Sequence, residues 1–158
     1  MVIKETDMDK YKEKLGLFFS EFGKGRKMVL STSVDGIVSS RMMSVVLLDG
    51  CFCFQTDITL RKYGQLKSNP NAALCTDNIQ IEGICEELGH PLGSAAFCEA
   101  FRECFSGSYK AYTALENERL FSLSPLRIER WVYIDSLPYI ETFDLSRQDY
   151  SFIRYEGR

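Results

Sequence analysis

From Thr6 to about Phe22, the apolar residues Met8, Tyr11, Leu15, Phe18, Phe19 and Phe22 recur at three- and four-residue steps with Lys and Glu between them. That period predicts an amphipathic helix. Thr6 ahead of Asp7 and Asp9 marks its start, and Gly23 with Gly25 its end. From Lys27 the pattern changes to runs of Val, Ser, Thr, Leu and Met, broken by Asp35-Gly36 and Asp49-Gly50. Such pairs supply the positive φ angles of tight hairpins, so strands are predicted near 27–34, 37–48 and 51–56, in an antiparallel meander. Residues 59–68 read as a short helix ended by Asn69-Pro70, because proline disfavours helical geometry in the residue before it. Two strands follow at 71–76 and 79–87. Leu92, Ala96, Ala100, Phe101, Cys104 and Phe105 again have helical spacing between Pro91 and Gly107, and 109–117 reads as another short helix. Beyond Pro125, residues 126–135 and 139–144 predict two closing strands.

No repeat or linker interrupts this order, so residues 1–158 are read as one domain, mainly β with flanking helices. Antiparallel strands in this number must close on themselves or leave edges open, and closure into a small barrel solves the problem. Met42, Met43, Val45, Val46, Leu47 and Leu48 give one strand two apolar faces. One can fill the barrel; the other needs cover from helices or from a second copy of the chain.

Composition narrows the class. A chain with 45% hydrophobic residues is too apolar for disorder, and a net charge of -3 disfavours non-specific binding to nucleic acid. Six cysteines without a C-x-x-C pair, and a single histidine, His90, point to neither a disulfide scaffold nor a metal site. Cys51 and Cys53 read as small apolar residues of a buried strand. The charged start MVIKETDMDKYKEK does not read as a signal peptide, and no apolar run approaches the roughly 20 residues of a membrane span. The expected setting is a reducing cytoplasm.

The stretch from Arg41 to Asn78 carries the candidate chemistry. Arg41 is a permanent cation in an otherwise apolar strand, a costly placement unless it meets an anion. Gln55 and Thr56 end the next strand, and Thr59, Arg61 and Lys62 lie where the chain enters the short helix. Free N–H groups at that helix start, its positive dipole end and two cations would suit a phosphate, which Arg41 could reach from the neighbouring strand. Two plainer readings stay open at this point: Arg61 and Lys62 as solvated helix residues, and Arg41 paired with an acid such as Glu82.

The ordered set S-T-x-x-D-G from Ser31, R-M-M-S from Arg41, D-G-x-x-x-F-Q-T-D from Asp49, T-x-R-K from Thr59, Asn69-Pro70 and I-x-I-E-G from Ile79 resembles the pyridoxamine 5'-phosphate oxidase-like family of FMN-binding split barrels. The resemblance covers roughly residues 26–88. It implies a split β-barrel of antiparallel strands, a homodimer with FMN at the interface, and hydride or electron transfer to a small molecule. By position, Arg41, Arg61 and Lys62 resemble the phosphate ligands. Met42, Met43 and Ser44 resemble the strand along the flavin, Gln55 and Thr56 its neighbour's flavin-contacting end, and Asn78 a cofactor-contacting glutamine. Val46 stands where pyridoxamine phosphate oxidase itself has a substrate-binding lysine, and its R-x-H element has no counterpart, so vitamin B6 oxidation is not implied. A non-catalytic protein of the same fold that holds FMN, haem or another ligand remains the alternative to an oxidoreductase, and an interaction dimer with mere surface charge a third reading.

Elsewhere the bland reading is preferred. His90 between Gly89 and Pro91 reads as an exposed loop residue, Trp131 and Tyr133 as packing aromatics of one strand face, and Phe97, Phe101 and Phe105 as a core stripe.

Overall fold

The computed structural model describes residues 4–157. Helix α1 (Asp7–Phe22) starts at Thr6, whose hydroxyl accepts from the Asp9 N–H while the Asp9 carboxylate accepts from the Thr6 N–H, a reciprocal capping box. It ends at Gly23, where φ is +84°, a value that favours glycine. Strands β1 (Gly25–Val34), β2 (Ile37–Leu48) and β3 (Cys51–Asp57) form the expected meander. Asp35 and Asp49 each take positive φ ahead of a positive-φ glycine, as the two-residue turns require. Helix α2 (Arg61–Ser68) leads into β4 (Asn71–Thr76) and β5 (Ile79–Glu87). A short 3₁₀ turn at Pro91–Gly93 precedes α3 (Ala95–Cys104) and α4 (Ser106–Tyr112), and β6 (Glu118–Ile134), β7 (Leu137–Asp144) and β8 (Asp149–Arg154) complete the chain.

Every strand pairing is antiparallel, in the order β3-β2-β1-β4-β5-β6-β7-β8, and β3 also pairs with β6. That last pairing closes the first six strands into a barrel. The 17-residue β6 does two jobs: Glu118–Leu123 seals the barrel against β3, and Arg127–Ile134 carries β7 and then β8 as an extension. The register between β5 and β6 slips at Glu82/Gly83, opposite Pro125. Gly83 is required there, because a Cβ would lie 2.4 Å from the Ser124 carbonyl oxygen.

The barrel interior is filled by Met28, Leu30, Val45, Phe52, Phe54, Leu74, Ile81, Leu123 and Ile128, with Tyr11, Phe18 and Phe22 of α1 packed into the same core. A second cluster lies on the other side of the sheet, where Phe97 and Phe101 of α3 cover Val46, Cys53 and Leu120 and Phe105 packs at their edge. The two-faced strand β2 is explained in part: α3 covers Val46, while Ile37, Val38 and Met42 remain exposed.

The structure departs from expectation at four points. The strand expected from residue 126 begins eight residues earlier, at Glu118, so Pro125 lies inside it at the register slip rather than before it. Strand β8 was not anticipated, and the expected helix over 109–117 is the earlier and shorter α4. His90 is half-buried instead of exposed: its Nδ1 accepts from the Leu92 N–H and its Nε2 bonds the Leu115 carbonyl oxygen, capping the 3₁₀ turn.

Candidate cofactor site

A cavity of about 330 Å³ lies between the outer face of β1–β3 and the α3–α4 pair. Met42, Met43 and Ser44 of β2 form one wall; Gln55 and Thr56 of β3, with Lys62 of α2 and Glu118 of β6, form another; Phe101, Ser108 and Tyr112 come from the helices. Strand alternation explains the mixed wall of β2. Met43 points inward and is buried, whereas Met42 is 61% exposed on the outside.

Gln55 and Thr56 are among the few buried polar residues. The Gln55 Oε1 accepts the Thr113 hydroxyl at 3.0 Å, which leaves its amide N–H groups with no partner among the described residues. No fully enclosed side-chain N or O among the described residues lacks a hydrogen bond, so that amide opens onto the cavity. Thr59 is differently engaged: its N–H and hydroxyl both donate to Asp57 Oδ1, at 2.7 and 2.6 Å. Those contacts, with the adjacent Arg119, hold the Asp57 carboxyl below its ordinary range.

Arg41 extends from β2 between β1 and α2. Its guanidinium donates to the Leu30 carbonyl oxygen at 3.2 Å, the Thr32 hydroxyl at 2.9 Å and Gln65 Oε1 at 2.5 Å. All of these acceptors are neutral, and the pairing with Glu82 allowed by the sequence does not occur. Burial lowers the Arg41 pKa, and the charge of Arg61 lowers it further. Lys62, half-buried at the start of α2, is lowered by burial and then by Arg41, with Glu118 acting in the opposite sense. The three cations therefore share one field, and among the described residues none of them has an ion-pair partner. The first turn of α2 contains no acid, and its Leu60 N-cap makes no side-chain hydrogen bond, so the positive end of the helix adds to that field.

The structure thus brings Met42, Met43, Ser44, Gln55, Thr56 and Lys62 to one cavity. Arg41 lies within electrostatic reach of Lys62 but is not on the cavity wall, and exposed Arg61 lines a separate cavity with Asp35 and Gln65. Asn78 lies elsewhere, at the β4–β5 turn, where its amide donates to the Trp131 carbonyl oxygen at 2.5 Å. Residues missed by sequence reasoning are Glu118, Tyr112, Ser108 and Lys27 on the cavity wall, and Gln65, which holds Arg41. A lone acid ahead of a strand carries no periodic signal, and the strand itself was placed too late to include Glu118.

No family model and no curated protein sequence matches this chain. Solved structures do. General Stress Protein 26 from Bacillus anthracis str. Sterne is similar over 91% of this chain and 98% of that one, at 21% identity and a TM-score of 0.57. PhzG from Burkholderia lata 383, solved in complex with tetrahydrophenazine-1-carboxylic acid, is similar over 98% of both chains, at 18% identity and a TM-score of 0.59. A pyridoxamine 5'-phosphate oxidase-related, FMN-binding protein from Nostoc punctiforme PCC 73102 is similar over 98% of this chain and 100% of that one, at 13% identity and a TM-score of 0.58. At such identities the likeness is one of fold. The chain is a split β-barrel of antiparallel strands, and its resemblance to pyridoxamine 5'-phosphate oxidase-like proteins holds at that level.

Proposed function

We propose that the protein binds FMN and is a flavin-dependent oxidoreductase acting on a small molecule in the cytoplasm. The observation that carries this reading is Lys62 on the cavity wall with Arg41 close enough to disfavour its charge and Arg61 acting in turn on Arg41, none of the three having an ion-pair partner among the described residues. A fold tolerates uncompensated, partly buried charge when a ligand supplies the counter-charge, and a phosphate ester meets three cations well.

In this reading Arg41, Arg61 and Lys62 hold the phosphate. The backbone of Met42–Ser44 and the Gln55 amide face the rest of the cofactor, and Phe101 and Tyr112 exclude water from one side. Bound there, the flavin would supply the hydride or electron transfer, while the protein supplies affinity, orientation and the polarity around the ring. The exposed apolar residues Val38 and Leu126, which line one surface hollow, and Met42 of the cavity wall support a homodimer with the cofactor at its interface.

FMN and riboflavin differ only in the phosphate, and titration of the purified protein with each, followed by flavin fluorescence, tests the assignment. FMN should bind far more tightly than riboflavin, and Arg41→Ala should remove most of that preference. Reduction of the bound flavin by a nicotinamide nucleotide and reoxidation by an acceptor would separate an enzyme from a carrier. Failure to take up FMN at all would refute the proposal.

A further inference from the structure

Glu118 is a carboxylic acid with only 5% of its surface exposed, standing on the wall of a cavity proposed above to take an anion. It is the first residue of β6, paired opposite Asp57 of β3, and its backbone N–H donates to the Leu115 carbonyl oxygen. Its carboxyl group has neither a hydrogen bond nor an ion pair among the described residues. Since no fully enclosed side-chain oxygen there is left unpartnered, the carboxyl oxygens open onto the cavity. A buried carboxyl left without a protein partner is costly, unless it keeps its proton or a ligand satisfies it.

The charged and titratable groups around it come from several elements. Asp57 ends β3 and pushes the Glu118 pKa up, though less than burial does; Lys62 of α2 and His90 of the loop after β5 pull it down by less, and the net direction is upward. Lys27 of β1 and Tyr112 of α4 line the same cavity, and Arg41 acts on Lys62. An anion seated at Lys62 cancels the main attraction that favours ionised Glu118 and adds repulsion of its own. Neutral Glu118 would instead donate its O–H to that anion, a charge-assisted hydrogen bond.

We propose that Glu118 is a further ligand-binding residue of this cavity, one that meets a phosphate ester as the neutral acid, so that the ligand and one proton bind together. The inference rests on the FMN reading and adds to it a selectivity: the site favours anionic ligands under acidic conditions and releases them as Glu118 ionises.

The test compares FMN affinity in the wild type and Glu118→Gln between about pH 5 and pH 8. The FMN phosphate ionises near pH 6 in both titrations, so the ratio of the two affinities reports on Glu118. The two affinities should lie closest at the acid end of this range. Toward pH 8 the variant should bind FMN increasingly more tightly than the wild type, the ratio growing by up to about tenfold per pH unit once Glu118 ionises in the free protein. Riboflavin should show the same ratio at both ends. Calorimetry of the wild type in two buffers of different ionisation enthalpy needs no variant, and should register proton uptake with FMN that riboflavin lacks. FMN binding with a constant ratio and no excess proton uptake would overturn the role of Glu118 and leave the flavin reading standing. Absence of FMN binding in either protein would overturn both.

Discussion

Lys62→Met separates a ligand-binding cation from a structural one, because the two roles predict opposite outcomes. In the free protein the Lys62 ammonium makes no hydrogen bond or ion pair among the described residues, and burial and Arg41 both lower its pKa. For a base whose folded pKa lies below its unfolded value, the charged form is disfavoured by folding, and the penalty is fully present at every pH below the folded pKa. Methionine keeps most of the side-chain volume and the apolar stem. The melting temperature without ligand should therefore stay the same or rise. Affinity for FMN should fall by the value of one charge-assisted hydrogen bond, about 1.5 to 3 kcal/mol, or roughly 10- to 150-fold in Kd. Riboflavin affinity should hardly move. Differential scanning fluorimetry and fluorescence titration on one preparation supply both numbers. A lower melting temperature with unchanged FMN affinity would refute the reasoning, since it would make Lys62 part of the scaffold.

Two further predictions concern the frame around the site. Glu141, buried, receives Arg130 at 2.6 Å and the Tyr150 hydroxyl at 2.8 Å, and Glu21 of α1 holds the other side of Arg130 at 2.8 Å. Glu141→Ala leaves a largely buried guanidinium with its more exposed partner alone and should cost about 3 kcal/mol in urea unfolding, toward the low end for a broken buried pair; a loss below about 1 kcal/mol would contradict this. Burial pushes the Cys85 thiol up to about 12 and Cys53 up to about 11, so at pH 8 neither should react with iodoacetamide in the native protein, whereas exposed Cys75 should be labelled first, as peptide mass spectrometry would show.

How far the sequence carried this picture depends on the kind of signal each element left. α1, with its Thr6–Asp9 cap, and the two Asp-Gly hairpins were legible because period and turn chemistry agreed. β4 and β5 lie where 71–76 and 79–87 were expected. The start of β6 was hidden by Pro125, which reads as a breaker in isolation; in the barrel it faces Gly83 at the register slip, where the ladder is already irregular. β8 depends on partners in β7, and its sequence, DYSFIR, has no clean alternation to declare it. Within the candidate site, the resemblance marked the cations and the strands, but periodicity could not show that Arg41 faces Gln65 and Thr32 rather than an acid. Nor could it show that Asp57 occupies Thr59.

The long strand β6 sets an order of events on the ribosome. Until β6 has emerged, β3 and β5 are the two naked borders of an open five-stranded sheet, β3 waiting for residues 118–123 and β5 for residues 121–130 of that one strand. That segment also brings Glu118 to the cavity wall. A nascent chain therefore has no finished pocket to offer before its barrel is sealed, and any ligand of the cavity must bind after closure rather than guide it.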